Sequence, residues 1–241
     1  MRILALAALA ALTAGWTGCI NITGWNTVHG NGHIVTEPRQ VAGFDRVSVA
    51  GSGQVILAQG DEESLTIEAD ENLLPLIKSD VDHGHLFIGP RDVNLGPTKT
   101  IVYRLKLKNI RALHLSGSLH AETEKIETDQ FAVHISGSGG MKVAQLKAGT
   151  FSAQISGSGS TSAAGNVQRQ EIRISGSGNH HASGLKCTHA EAHITGSGDA
   201  SVWVVESLDA YISGSGSVEY RGNPSVDSHV SGSGRIHHRG D

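Results

Sequence analysis

Seven side chains able to bind or ionise return along the second half of this chain at nearly equal intervals: His114, His134, Gln154, Arg173, His193, Tyr211 and His229. The offsets between them are 20, 20, 19, 20, 18 and 18 residues. Each stands in the middle of a short apolar–polar–apolar run such as Val133-His134-Ile135 or Ile172-Arg173-Ile174. On a strand, that middle residue points away from its two apolar neighbours. A ligand-facing column on one outward surface is therefore expected. Adjacent His114 and His134, one repeat apart, could share a metal ion or a carboxylate-bearing ligand. Arg173 interrupts such a row, so a solvated face of stacking polar groups is the simpler expectation. On this reading no metal and no cofactor is bound.

A second set of residues must place that column. Immediately after each run comes a Ser-Gly-Ser-Gly corner, starting as Ser116-Gly117-Ser118-Leu119 and returning at Ser136, Ser156, Ser175, Thr195, Ser213 and Ser231. A fixed period near 20 residues marks a solenoid, in which one coil cannot bury its own apolar face. The residue before each corner is Leu115, Ile135, Ile155, Ile174, Ile194, Ile212 or Val230. That column is β-branched after its first member, as a buried stack between parallel strands requires. A second short strand follows each corner, so one coil holds two strands and two turns. Gly at the second and fourth corner positions is expected to admit positive φ. The segment from Val41 to Leu107 is β-rich but less regular, and is expected to cap the first coil and protect its edge.

Other chemistry finds little support. There is no Walker pattern and no Gly-x-Ser-x-Gly elbow. A calcium roll would need an acidic residue in each turn, whereas only Asp199 is acidic among the residues following the corners. Asp80, Asp82, His83 and His85 cluster beside Gly84 and read as a hairpin turn. His180-His181 and His237-His238 read as surface residues. A formal net charge of −4 offers no electrostatic case for nucleic acid. The alternative to a non-enzymatic module is a carbohydrate-active β-helix enzyme similar to polysaccharide lyases, with Glu171, Arg173, Glu191 and Asp209 as candidate groups. The closing Arg239-Gly240-Asp241 matches an adhesion tripeptide, a weak signal in a chain with 31 glycines.

The N-terminus carries Arg2 and a short apolar run, Ile3 to Leu12, too short to span a bilayer. Residues 1–18 read as a signal peptide. Thr17-Gly18-Cys19 resembles the end of a lipobox, with Cys19 as the lipidation site and Trp16 standing where Leu is usual. Ordinary secretion is the alternative. Residues 19–37 read as a flexible linker, 38–235 as the β domain and 236–241 as a tail. Cys187, the second of two cysteines, is expected to stay a free thiol within one coil. The expected location is the bacterial cell envelope, with a lipid anchor in the membrane and a surface glycan or protein as ligand.

Three stretches together resemble the putative auto-transporter adhesin, head GIN domain family: Gly43-Phe44-Asp45-Arg46-Val47-Ser48-Val49-Ala50-Gly51-Ser52-Gly53, Gln59 through Ala69, and the serial Ile-Ser-Gly-Ser-Gly corners. The resemblance spans roughly residues 38 to 235. It implies a right-handed parallel β-helix, an all-β solenoid of two-sheet coils, with a suggested adhesive role and no catalytic residues to carry over.

Overall fold

The computed structural model describes residues 27–240. Among them there is no α-helix, and the chain forms a β-solenoid of about six turns. The regular part runs through β9 (Ala112–Gly137), β10 (Gly140–Gly157), β11 (Ser160–Gly176), β12 (Asn179–Gly196) and β13 (Asp199–Gly214), each parallel to the next. The last coil is broken into β14 (Ser217–Arg221), β15 (Ser225–Gly232) and β16 (Arg235–His238). Equivalent repeat positions pair directly: Ile135 with Ile155, Ile155 with Ile174, Ile174 with Ile194, Ile194 with Ile212. The period seen in the sequence is thus the length of one coil.

Inside a coil, burial alternates along the strand and changes phase at three places. In β10 the buried side chains are Met141 and Val143, then Leu146 and Ala148, then Phe151, Ala153 and Ile155. The corner is one phase change. A bend at Ala144-Gln145 and another at Gly149-Thr150 are the others, so the leg following each corner is itself bent and the two-legged coil acquires a third facet. The column from Leu115 to Ile212 is no more than 2% exposed. Each such side chain contributes about 1.5–3 kcal/mol of transfer free energy.

The two glycines of each corner have different duties. The second position has positive φ, 115° at Gly157, as the sequence suggests. The fourth position does not; it is glycine for want of space. A Cβ on Gly178 would lie 2.4 Å from Ile155 Cγ2 and 2.8 Å from the Gly159 carbonyl oxygen. The buried Ile of one coil therefore occupies the room left by the missing side chain in the next. That explains why the two features recur together.

The N-terminal end is closed. β3 (Arg46–Gln59) pairs with β9 on one edge and, on the other, with β6 (His85–Pro90) along its first half and β8 (Val102–Leu107) along its second. β5 (Ile77–Asp82) then lies antiparallel on β6, and β4 (Ser64–Asp70) antiparallel on β8. The outermost strand is β2 (Ile34–Arg39), antiparallel to β4 and carrying Pro38, a residue suited to an edge. Asp82 and His85 flank a two-residue turn with positive φ at both His83 (47°) and Gly84 (76°), the hairpin read from the sequence.

Two expectations about the ends are corrected. Residues 27–37 were expected in a flexible linker, yet β1 (Thr27–His29) pairs with β7 (Asn94–Gly96), and β2 starts at Ile34. Of the tail assigned to 236–241, residues 236–238 belong to β16, which pairs with β14. A polar, Gly- and Asn-rich composition misled because the segment is held by backbone pairing with distant strands and by side chains of residues 70–72. The buried Asp70 carboxylate accepts hydrogen bonds from Gly32 N–H (2.8 Å), Thr98 N–H (2.9 Å) and Thr98 Oγ1 (2.6 Å). These bonds, the Thr98 hydroxyl above all, hold its pKa below the usual carboxylate value. A lowered carboxylate pKa adds stability above the unfolded value, and that stability is lost as pH falls through the folded value. Asp70→Asn should thus lower Tm clearly at pH 7, and the gap from the native chain should narrow by about pH 3. Thermal melts across pH test this; an equal gap at both pH values would contradict it.

Candidate functional site

The structure brings the expected column together on one outward face. The register aligns His134 with Gln154, Gln154 with Arg173, Arg173 with His193, His193 with Tyr211, and Tyr211 with His229. The rings of His114 and His134 stack 4.4 Å apart at 6°. His193 stacks on Tyr211 at 4.7 Å and 7°, and Tyr211 on His229 at 5.2 Å and 12°. Between these stacks, His134 Nδ1 lies 3.0 Å from Gln154 Oε1, to which it donates. At its N-terminal end the ladder runs on through His85, whose ring is 6.0 Å from that of His114. Burial, followed by the neighbouring His134 and His85, keeps the His114 pKa below the ordinary histidine value.

A second column stands beside the first, two residues earlier on each strand: Ser152, Glu171, Glu191, Asp209 and Asp227. Glu191 Oε1 accepts from His193 Nε2 at 2.7 Å and lies 3.9 Å from Arg173 Nη2. Arg173 Nη1 is 3.5 Å from Glu171. Of the four groups weighed for a lyase-like site, Glu171, Arg173 and Glu191 do meet, but on an open ladder of exposed ion pairs, each worth little on its own. Asp227 was missed by sequence reasoning, although its place two residues before His229 repeats the spacing of Glu171 to Arg173. Along the stacked end a shallow groove of about 470 Å³ runs over His193, Tyr211 and His229.

The face does not arrange its histidines for a metal. The nitrogen lone pairs of His114 and His134 lie in nearly parallel planes, so the two rings cannot both point at one ion between them. Among the described residues no three His, Cys, Asp or Glu side chains group as a metal site. Cys187 is a free, buried thiol with Sγ 3.3 Å from the Trp203 carbonyl oxygen, and burial pushes its pKa up to about 12. It is inert in this state. Cys19 lies outside the described residues. Arg239 of the closing tripeptide is engaged by the Glu219 carboxylate.

Two further sites were not legible. His180 was expected at the surface beside His181, yet it is fully buried. It falls in the inward column of Met141, Thr161 and Ala200, and aligning those positions is the signal that finds it. The Gln170 amide donates to His180 Nε2 at 2.7 Å, leaving Nδ1–H to donate to Thr161 Oγ1 at 2.6 Å. The second is an open groove of about 800 Å³ lined by Asp45, Arg46, Glu63, Arg111 and Asp129 among others. Asp45 pairs with Arg46 and Arg111, and Glu63 accepts the Gly43 N–H.

A capped parallel solenoid with a packed core and a flat ladder of polar rings defines a β-helical repeat protein of the kind that presents extended surfaces. The chain belongs to the family described as putative auto-transporter adhesin, head GIN domain, whose model matches residues 43–224. It is similar to a crystal structure of a putative lipid binding protein from Parabacteroides distasonis, at 25% identity and TM-score 0.76, with 88% of this chain and 99% of the other covered. A putative adhesin from Parabacteroides merdae is 24% identical with TM-score 0.70, covering 88% and 98%. A putative adhesin from Bacteroides fragilis is 21% identical with TM-score 0.79, covering 89% and 100%. No curated protein matches the chain. The family and these structures carry names of adhesins or lipid binding proteins rather than of enzymes.

Proposed function

We propose that this chain is an exported, surface-exposed, non-enzymatic adhesive module that binds a glycan along its outward ladder. The observation that carries this reading is the exposed stack His193–Tyr211–His229 flanked by Glu191, Asp209 and Asp227. The stacked rings turn their edges outward, so the Tyr211 hydroxyl and the imidazole nitrogens can exchange hydrogen bonds with sugar hydroxyls, and the carboxylates beside them accept further ones. A flat ladder with nearly equal spacing suits an extended polymer better than a small molecule. The family's adhesin description and the sequence of residues 1–19 support export, with Cys19 as the lipid anchor. No described helix is long and apolar enough to cross a membrane. Fatty-acid labelling that depends on Cys19 tests the anchor.

The binding reading is tested by probing an oligosaccharide array with the native chain and with Tyr211→Ala. Tyr211 is 38% exposed and lies outside the core, so its truncation should leave the fold intact and cost only its two ring contacts, about 1–3 kcal/mol. Binding to at least one glycan class should weaken about tenfold or more in the variant. Equal binding by both proteins would remove the ladder as the site. Capture of a protein ligand alone, with no glycan bound, would overturn the ligand class.

A further inference from the structure

The two ends of the solenoid differ. The N-terminal end is covered by antiparallel strands, whereas β15 at the other end pairs only with β13 among the described residues. Every residue of β15 is exposed. Yet Val226, Ser228 and Val230 stand in register with the buried Leu208, Ala210 and Ile212 of the coil beneath, and the two valines are 37% and 44% exposed. The strand therefore presents an unfinished core and an open line of backbone groups. Edges of this kind pair with another strand unless something blocks them, and β15 has neither proline nor lysine to do so.

The order of residues on this strand identifies the partner. Ser225-Val226-Asp227-Ser228-His229-Val230-Ser231 reads nearly the same in both directions about Ser228. We propose that the edge is an interface for a second copy of this chain, the two β15 strands pairing antiparallel across a two-fold axis at Ser228. In that register Val226 faces Val230 of the other copy, Asp227 faces His229, and Ser225 faces Ser231. Residues directly opposite on an antiparallel pair share a face of the sheet. The valines thus meet on the core side, completing the stack that the last coil leaves open. Asp227 and His229 meet on the outward side, where the imidazole N–H can donate to the carboxylate of the opposing strand. A slip by one residue would put valine against the outward polar groups, so the pattern selects this register. An isologous contact closes at two subunits and does not propagate. The outward ladders of both copies then lie on one continuous face, the ring column of one leading into the acidic column of the other. The contact itself is independent of what the ladder binds.

Sedimentation of the full chain, in a Cys19→Ser background that removes the one cysteine outside the described residues, tests this. The expected species is a dimer that Val226→Lys/Val230→Lys converts to monomer, since lysines at these exposed places leave the coil intact but cannot be buried at the interface. Ser228→Cys should form an intermolecular disulfide under mild oxidation, because the two-fold axis brings residue 228 opposite itself within bridging distance. Glu206→Cys, exposed but off the edge, should not. A monomeric native chain at its highest soluble concentration would overturn the proposal. So would a dimer that survives the lysine pair, or a dimer in which Ser228→Cys fails to cross-link.

Discussion

Replacing Gly157 with Val should cost roughly 3 kcal/mol or more, shifting Tm down by about 10 °C. Two penalties add at this position. Its φ of 115° lies where a β-branched residue is strained, and a Cβ there would sit 2.7 Å from the carbonyl oxygen of Gly137 in the coil beneath. That oxygen already accepts the Ser158 N–H at 3.0 Å. Any movement that relieves the clash therefore disturbs the contact between two coils. In a stacked repeat each coil is held by its neighbours alone, so a damaged contact lowers the stability of the array on both sides. Gly60→Ala is the control. No atom lies within 4 Å of a Cβ built at Gly60, and the change should stay within about 0.5 kcal/mol. Thermal melts of the two variants decide the matter, and a Gly157→Val melt equal to that of the native chain would contradict the corner account.

Mild acid should be the second strong perturbation, acting through His180. Complete burial, reinforced by His181, drives its pKa down to about 3, so the ring stays neutral in the folded chain. The unfolded chain takes up a proton on this residue near pH 6.5. Stability from the neutral ring is therefore complete above about pH 6.5 and is lost progressively as pH falls from there toward the folded value. Between pH 7 and pH 5 the loss amounts to roughly 2 kcal/mol. The neighbouring groups make it a single unit. Gln170 Oε1 is buried without a hydrogen-bond partner, so this polar cluster is incompletely satisfied even when neutral. The combined variant Thr161→Val, Gln170→Met, His180→Leu replaces all three with apolar groups of similar size. It should keep the native fold at neutral pH and lose most of the difference in Tm between pH 7 and pH 5. An unchanged difference would show that the acid sensitivity arises elsewhere.

What the sequence revealed and what it concealed both follow from how a parallel stack is built. Because each coil pairs with its equivalent in the next, a period in the sequence becomes a neighbour in space. The buried Ile column and the outward ladder from His114 to His229 were legible for that reason. The same logic applied to the second position after each corner finds His180, but a rule that treats paired histidines as surface overrides it. Residues 27–37 look like a tether because their composition is polar. What fixes them is distant in sequence: backbone pairing with β7 and β4, and the Asp70 carboxylate, which accepts the Gly32 amide 38 residues away. The fourth corner glycine was credited with the wrong virtue, since positive φ and lack of space both demand glycine and only the packing of Ile155 under Gly178 tells them apart. Asp227 and the pseudo-palindrome of β15 are plain in the sequence, yet carry no meaning until that strand is seen as an open edge.

The outward ladder is proposed as the working surface of the molecule. Its most direct test is to follow the histidine ring resonances of the native chain by NMR while adding the oligosaccharide that binds best on an array. His193 and His229, on either side of Tyr211, should shift and saturate together, with His114 and His134 following if the glycan is long enough to reach them. The remote His33 should stay in place. Shifts confined to His83, which lines the groove with Asp45 and Arg111, would move the binding site to the N-terminal half of the molecule and contradict the account.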